Sequence, residues 1–204
     1  MNEGANPDSA RPARLRAAVR EAYSAAAGEP EGRHPFPVGR SFAESLGYPA
    51  DELAALPGVA VEAFTGVSNV SVFADLRSGM RVLDLGCGAG LDSLIAARRV
   101  GNRGEVVGVD FSATMLRRAR QAASEAGARN LVFCQAAAES LPLKSASIDV
   151  ALVNGIFNLN PAREAIFSEL ARVVRTGGLV YAAELILRDP PPPEVRASEE
   201  NWFA

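Results

Sequence analysis

One short stretch, residues 81–90, constrains this chain more than any other, because an apolar run leads directly into three glycines in the order R-V-L-D-L-G-C-G-A-G. Val82, Leu83 and Leu85 form the kind of short apolar run that is typical of a buried parallel strand. Glycines adopt positive φ angles and let a ligand approach the backbone closely. The stretch therefore predicts a strand, a ligand-binding turn and then a helix over residues 92–100, whose free N–H groups point at the turn.

The spacing of the glycines separates two classes of nucleotide ligand. A dinucleotide fingerprint reads G-x-G-x-x-G, but Leu91 occupies the place of its third glycine, and the pattern here is G-x-G-x-G. A second apolar strand over residues 106–110 ends at Asp110, 20 residues after Gly90. A carboxylate at such a strand end can accept two hydrogen bonds from a ribose diol, so we expect Asp110 to bind the sugar of a cofactor. The alternative is that Asp110 only caps the helix that follows.

The remainder of the chain alternates strand and helix. Ser112 is predicted to cap a helix over residues 113–126, and Asn160-Pro161 to begin another that continues to about residue 174. Further strands are predicted over residues 131–135, 148–153 and 179–187. This alternation predicts an α/β fold, a doubly wound and mostly parallel sheet with helices on both faces. Asn154 follows the fourth strand, at the sheet edge where open α/β sheets bind ligands.

The N-terminal part has a different composition. Residues 1–12 are expected to be disordered, and residues 13–76 to form a helical segment and lid. Leu15, Val19 and Tyr23 recur at four-residue spacing, which predicts a helix from about residue 12 to 27 over the sheet edge or the ligand mouth. Residues 28–39 contain three prolines and three glycines, so they are predicted to form a loop that folds over the pocket. Short helices are predicted over residues 41–46, 49–56 and 70–76.

Three side chains in or near these segments invite a chemical interpretation. His34, the only histidine, is either a general base or cofactor contact, or a packing residue held by its neighbouring prolines. Cys87 lies in the glycine turn and Cys134 on a predicted strand, so the two do not make a disulfide framework. We expect Cys87 to be a tolerated small residue rather than a nucleophile, and we expect no metal site.

Composition limits the partners. A chain of 204 residues with 48% hydrophobic residues is long enough for one well-buried domain. The net charge of −3 gives no basic excess that would favour nucleic acid. The first 13 residues lack the apolar core of a signal peptide, and no later run approaches the length of a membrane span. We therefore expect a cytoplasmic protein with a small-molecule partner.

Together with Asp84, the run D-L-G-C-G-A-G resembles motif I of the class I S-adenosylmethionine (SAM)-dependent methyltransferases. Over residues 19–202 the chain is similar to the arsenite methyltransferase branch of that family, and also to the ubiquinone and menaquinone C-methyltransferases. The likeness is carried by Leu46-Gly47-Tyr48, Glu52 to Pro57, residues 82–90, Gly108 to Asp110 with Met115, Leu141-Pro142, Asn154 with Asn158-Leu159, and Gly177-Gly178.

The resemblance implies that residues 77–189 form a core that binds SAM. It implies cofactor contacts from Asp84, Gly86, Cys87, Gly88, Gly90, Asp110, Phe111, Met115, Ala137, Ala138, Glu139 and Asn154. The family usually has an acid for the adenine amino group where this chain has Ala137, so the backbone near Ala137 and Ala138, or Glu139, is expected to replace it. His34 and Asn154 are the candidate catalytic residues.

The departures from the family concern the methyl acceptor. Arsenite methyltransferases hold trivalent arsenic with cysteine thiolates, which are soft ligands. The corresponding positions here are Val67, in the turn formed by residues 66–69, Gly155, and the loop around His34. We therefore expect a small, largely apolar acceptor between that loop, the 66–69 turn and Asn154, with Phe36, Phe64 and Phe157 either lining it or packing in the core. Alternatives are a SAM-binding protein without turnover, acting as a sensor or partner subunit, and an arsenite methyltransferase homologue with a divergent metalloid site. A nicotinamide oxidoreductase is disfavoured by Leu91.

The end of the sequence departs as well. Four prolines at residues 190–193 interrupt the pattern, and the tail of residues 190–204 is expected to hold a short helix at most. The resemblance implies a further crossover helix and strand hairpin, for which this tail is too short. The fifth strand is then expected to form an exposed edge, covered by a homodimer partner or the N-terminal segment. A sequence that is part of a longer protein is the simpler explanation.

Overall fold

A computed structural model describes residues 7–186 and residue 189, and in this part of the chain five parallel strands form one sheet. The strands are β1 (Arg81–Leu85), β2 (Glu105–Asp110), β3 (Leu131–Gln135), β4 (Ile148–Asn154) and β5 (Val174–Ala183). Their order in the sheet is β3-β2-β1-β4-β5. Strands β2 and β3 are thus added on one side of β1 and strands β4 and β5 on the other, so the strand order reverses between β1 and β4. This confirms the predicted doubly wound α/β fold.

Helices precede the sheet and connect its strands. Among the described residues, five come before β1: α1 (Pro7–Gly28), α2 (Arg40–Ser45), α3 (Ala50–Ala54), α4 (Gly58–Val61) and α5 (Val70–Phe73). Three connect strands: α6 (Leu91–Val100), α7 (Ala113–Glu125) and α8 (Arg163–Val173). A 3-10 turn, Gly101–Arg103, follows α6.

The two faces of the sheet are buried against different helices. On one face, Val82, Val106 and Val150 pack in a cluster with Leu94 and Ile95 of α6 and with the short helices before β1. The other face packs against α8. The buried members of this cluster are Leu83, Leu85, Val109, Leu141, Ile148, Ala151, Val153, Phe157, Ile166, Leu170 and Val173. Adjacent residues of β1 and β4 point to opposite clusters because side chains alternate along a strand. Burial on both faces accounts for their nearly continuous apolar sequences.

The strand register aligns the polar ends of three strands. Asp84 pairs with Gly108, Leu85 pairs with Val153, and Asp110 pairs with Gln135. Asp84, Asp110 and Asn154 therefore lie at the same edge of the sheet, around the β1–β4 switch point.

Several element boundaries differ from the predictions. Helix α1 begins at Pro7, so residues 7–12 are helical rather than disordered, because proline is compatible with the first turn of a helix. Asn160 does not cap α8: the helix begins at Arg163, and the Asn160 side chain instead accepts a hydrogen bond from the Ala162 N–H (2.8 Å). Strand β5 follows α8 directly at Val174, five residues earlier than predicted.

Strand β5 lies at the edge of the sheet within the described part of the chain, with Leu179 and Val180 about half exposed. Dimerisation across this edge stays a prediction. Residues 1–6 and the predicted tail of residues 190–204 lie outside the described residues. Within the described ranges, no helix has the length and apolar character needed to cross a bilayer.

Candidate functional site

A cavity of about 440 Å³ lies at the carboxyl ends of β1, β2 and β4, beneath helix α1. A volume of this size lies within the range of roughly 300–1,000 Å³ that small-molecule sites occupy. Its walls come from α1, residues 60–66, the turn after β1, the end of β2, residues 136–139 and residues 154–160. The cavity thus lies where the fold predicts a ligand.

The glycine turn after β1 forms one side of this cavity. Gly86, Gly88 and Gly90 have φ angles of +77°, +52° and +88°, in the left-handed region that favours glycine. A Cβ on Gly86 would lie 2.4 Å from Cγ2 of Ile156, whereas a Cβ on Gly88 would find only the Met115 sulfur, at 3.9 Å. The backbone is therefore most accessible to a ligand at Gly88.

Asp110 joins the end of β2 to this turn. Its Oδ2 accepts a hydrogen bond from the Gly88 N–H (2.9 Å), and its Oδ1 accepts one from the Ser112 N–H (2.7 Å). Burial raises the pKa of Asp110 to about 6, against the lowering effect of the Ser112, Gly88 and Phe111 N–H groups. The side chain is buried yet borders the cavity, so a ligand can reach the remaining lone pairs. Its predicted contact with ribose stays a prediction.

Two more carboxyl groups border the cavity. Burial is the main cause that raises the pKa of Asp84 to about 8, and the neighbouring Asp92 charge raises it as well. The Ser93 hydroxyl donates a hydrogen bond to Asp84, which opposes this shift. Asp92, in the first turn of α6, accepts hydrogen bonds from Tyr48, Ser71 and Asn154. Asp84, Asp92 and Asp110 therefore place three carboxyl groups near the strand ends, while Arg16 and Arg20 line the cavity from α1.

Helix α1 covers the cavity and is tied to its rim by polar contacts. Arg16 forms an ion pair with Glu139 (2.9 Å), and the Arg20 guanidinium lies 5.4 Å from the centre of the Phe111 ring. Burial tends to raise the pKa of Glu139, but hydrogen bonds from its own N–H, Asn160 and Arg16 hold that pKa below its ordinary value. Of the two predicted positions for this helix, over the sheet edge or over the ligand mouth, the structure shows the second, since residues of α1 line the cavity.

Ten of the twelve predicted cofactor-binding residues line the cavity. These are Asp84, Gly86, Cys87, Gly88, Asp110, Phe111, Ala137, Ala138, Glu139 and Asn154. The other two lie behind the turn: Met115 is buried beneath Gly88, and a Cβ on Gly90 would press against Ala119 and Phe133 at 3.2 Å. They shape the turn from below.

The predicted loop does not act as a lid over this cavity. None of residues 28–39 lines it, since the loop lies outside α1, where Phe36 packs on Tyr23 with ring centres 4.5 Å apart. His34 is partly exposed and its Nε2 is hydrogen-bonded to the Glu29 carbonyl at 2.8 Å, which agrees with the packing interpretation. Helix α1 takes the covering position instead.

The Cys87 thiol lies in surroundings that disfavour its ionised form. Burial raises the pKa of the Cys87 thiol well above its ordinary value, and the Asp110 and Asp84 charges raise it further. Cys87 and Cys134 are both free thiols. Within residues 7–186, no group of three or more His, Cys, Asp or Glu side chains has an arrangement that could hold a metal ion.

The three phenylalanines considered for the acceptor have different positions. Phe64 is buried and lines the cavity, Phe36 packs on α1, and Phe157 stacks on Phe167 with ring centres 4.6 Å apart. Close to Phe64, Val67 and Gly155 face each other: a Cβ on Gly155 would lie 2.9 Å from a Val67 methyl group. Val67 therefore fills the space beside Gly155.

Sequence reasoning missed several cavity residues. Arg16, Arg20 and Tyr23 of α1 line the cavity, as do Asp92 and Ile156. The spacing of the α1 residues places them on one helical face, which was the available signal. Asp92 and Ile156 gave no such signal because their roles depend on packing between segments distant in sequence.

A doubly wound sheet with a glycine turn at its switch point and a buried carboxyl group on the neighbouring strand defines the Rossmann-like class I methyltransferase fold. Comparison with known proteins agrees, because a family model described as a methyltransferase domain matches residues 76–203. The chain belongs to this methyltransferase family.

Similar proteins include an arsenite methyltransferase and a demethylmenaquinone methyltransferase. The chain is 35% identical over 161 residues to an arsenite methyltransferase of Halobacterium salinarum. The aligned region covers 79% of this chain and 41% of that protein. It is 34% identical over 107 residues to a demethylmenaquinone methyltransferase of Lactococcus lactis, covering 52% of this chain and 42% of that protein. The chain thus spans less than half the length of each of these relatives.

A solved structure supports the same fold. The crystal structure of an arsenic(III) S-adenosylmethionine methyltransferase from Chlamydomonas reinhardtii superposes with a TM-score of 0.67 at 31% identity, covering 77% of this chain and 57% of that one. The predicted family resemblance is therefore confirmed.

Proposed function

We propose that this chain is the cofactor-binding domain of a SAM-dependent methyltransferase and that it acts on a small, largely apolar acceptor other than arsenite. The observation that carries the proposal is the buried Asp110 carboxyl group, which borders the cavity and holds the Gly88 N–H of the glycine turn. An acid that both shapes the turn and faces the ligand fits an adenosine-containing cofactor better than a helix cap alone.

The residues present fit this cofactor. An ionised carboxylate offers about four lone-pair positions. The Gly88 and Ser112 N–H groups use two of those of Asp110 and the Phe111 N–H also acts on it, which leaves at least one for a ribose hydroxyl. The open backbone at Gly88 is available to the methionine part, and Asp84 to its amino group. Residues 137–139 would surround the adenine. A cationic amino group beside Asp84 would favour the ionised form of that carboxyl group.

When bound, SAM supplies an electrophilic methyl group on a sulfonium. The protein needs to bring an electron-rich acceptor atom into line with that methyl group and to exclude water, which supplies much of the acceleration in such transfers. Helix α1 covers the cavity, and Phe64, Ile156 and Leu159 give it an apolar wall. No catalytic acid or base is required when the acceptor is already nucleophilic, so transfer to carbon, oxygen or sulfur is compatible with this lining.

The residues on the acceptor side of the cavity are unsuited to arsenite as the methyl acceptor. Relatives named arsenite methyltransferase suggest that substrate, yet Val67 and Gly155 offer a methyl group and a hydrogen where thiolates would be needed for a soft arsenic centre. Other relatives are named demethylmenaquinone methyltransferase, and we take a quinone-type acceptor as a better match to this apolar wall.

A labelled-methyl assay tests the proposal. The chain is incubated with methyl-labelled SAM and a panel of hydroquinones, phenols and thiols, with arsenite plus glutathione as a separate sample and Asp110→Asn as the control variant. We expect label in at least one apolar acceptor with the wild type and strongly reduced label with the variant. Binding of S-adenosylhomocysteine without transfer to any acceptor would favour a SAM-binding protein without turnover, and label in arsenite would overturn the assigned acceptor class.

A further inference from the structure

A cluster of hydrogen-bonded polar side chains lies beside the cavity and has no part in the proposed transfer. It consists of Tyr48, Ser71, Asp92 and Asn154. Tyr48 and Ser71 come from the N-terminal helical segment, Asp92 from the first turn of α6 and Asn154 from the end of β4. The cluster therefore joins three segments that are distant in sequence.

Asp92 is the centre of this cluster. Its Oδ1 lies 2.7 Å from the Tyr48 hydroxyl and accepts from both the N–H (3.3 Å) and the hydroxyl of Ser71, while its Oδ2 accepts from Nδ2 of Asn154 (2.9 Å). Asp92, Tyr48 and Ser71 are almost completely buried. A fully satisfied buried network of this kind fixes its members in one arrangement, because losing any donor leaves a buried acceptor unpaired.

The Asn154 amide connects this centre to the 66–69 turn. Its Oδ1 accepts hydrogen bonds from the Val67 N–H (2.8 Å) and the Ser68 N–H (3.1 Å), and its Nδ2 donates to the Ser68 carbonyl (2.7 Å) as well as to Asp92. The two N–H donors fix which amide atom is the oxygen. Two acceptor positions and two donors are all that an asparagine amide has, so none is left for a ligand.

The turn that Asn154 holds forms part of the cavity wall. Gly66 lines the cavity, and a Cβ at that position would lie 2.6 Å from Nδ2 of Asn154 and 2.7 Å from Cζ of Phe64. The backbone therefore lies directly on the amide with no room to shift toward it. The opposite side of the cavity, where Asp110 contacts Gly88 and Ser112, shares no member with this cluster.

We propose that Tyr48, Asp92 and Asn154 are positioning residues, which hold the 66–69 turn as a fixed wall on the acceptor side of the cavity. That this side of the cavity binds the methyl acceptor rests on the proposed function, whereas the fixed position of the turn does not. Loss of the cluster then mobilises the turn and weakens acceptor binding, and it leaves cofactor binding at the Asp110 side nearly unchanged.

Amide hydrogen exchange followed by NMR tests the wall directly. Asn154→Ala removes the acceptor of the Val67 and Ser68 N–H groups, so we expect their exchange to accelerate about tenfold or more, with a smaller acceleration in Tyr48→Phe. Tyr181→Phe makes the same chemical change on β5, away from the cavity, and should leave both amides unchanged. Unchanged exchange in Asn154→Ala and Tyr48→Phe would overturn the proposal, as would an equal acceleration across β1 and β2, since that would indicate general destabilisation.

Binding and turnover separate this inference from the proposed function. With any acceptor found in the labelled-methyl panel, Tyr48→Phe should raise the KM for the acceptor about two- to tenfold, while the Kd for S-adenosylhomocysteine stays within about twofold of wild type. If no acceptor is methylated but the two amides respond, the proposed function fails and the fixed wall stands. If an acceptor is methylated and neither its KM nor the exchange responds, the function stands and the inference fails.

Discussion

The buried carboxyl group of Asp110 makes cofactor affinity depend on pH. Burial raises its pKa to about 6 in the free protein. A ribose diol donates its hydrogen bonds to the ionised form, whereas protonation converts one acceptor oxygen into a donor. Affinity for S-adenosylhomocysteine should therefore rise as the pH rises through 6, and binding should lower the pKa of Asp110.

The size of the effect follows from that pKa. Asp110 is about 90% ionised at pH 7 and about 10% ionised at pH 5, so the Kd should be about tenfold higher at pH 5. Asp110→Asn keeps the size of the side chain but removes the charge. The variant should bind at least ~1.5 kcal/mol more weakly at pH 7, the scale of one charge-assisted hydrogen bond. It should then lose little more between pH 7 and pH 5.

Isothermal titration calorimetry with S-adenosylhomocysteine from pH 5 to 8 measures both effects. Asp84 also has a raised pKa, about 8, so it stays largely protonated between pH 5 and 7, where Asp110 titrates, and the change in Kd over that range reports mainly on Asp110. Asp149→Asn is a matched control, since Asp149 bonds Arg81 and Arg175 away from the cavity. Parallel profiles for wild type and Asp110→Asn would refute the reasoning.

Two further predictions concern the glycine turn. Gly79→Ala should lower the free energy of unfolding by about 1 kcal/mol in a urea titration, because the residue has a φ of +88° but its Cβ would meet nothing within 4 Å. Gly86→Ala should lower it by about 1–3 kcal/mol more, since its Cβ would lie 2.4 Å from Ile156. Equal losses in the two variants would contradict the close contact at Gly86. Iodoacetamide at pH 8 should label Cys134 before Cys87 in the folded protein, because burial raises the pKa of the Cys87 thiol, and mass mapping that finds Cys87 labelled equally fast would contradict this.

Much of the sheet was predictable from sequence because its strands carry their own signals. The apolar runs over residues 82–85, 106–110 and 131–135 correspond to β1, β2 and β3 within one residue. Ser112 caps α7 as predicted, accepting from the Met115 N–H at 3.3 Å. The predicted start of β5 at residue 179 was wrong, since the strand begins at Val174 and includes Gly177 and Gly178. Tertiary pairing with β4 overrides the local signal of these glycines.

Only part of the candidate site was predictable from sequence. The turn and Asp110 were predictable because both lie at strand ends within one β-α-β unit. Asn154 was placed correctly at the end of β4, but sequence could not indicate that its amide is fully used in holding the 66–69 turn. That fact depends on Val67 and Ser68, which lie more than 80 residues earlier in the chain. Residues 28–39 were predicted to fold over the cavity, whereas α1 lies there. Sequence could not decide this either, since packing determines which segment lies over the cavity.

The most direct test of the central claim is a crystal structure of this chain grown with S-adenosylhomocysteine. The account predicts the ligand in the cavity beneath α1, with both ribose hydroxyls about 2.5–2.9 Å from the Asp110 carboxylate and the amino acid part against the backbone at Gly88. Ligand density elsewhere on the sheet, or ribose hydroxyls that contact other side chains while Asp110 keeps only its Gly88 and Ser112 hydrogen bonds, would contradict it.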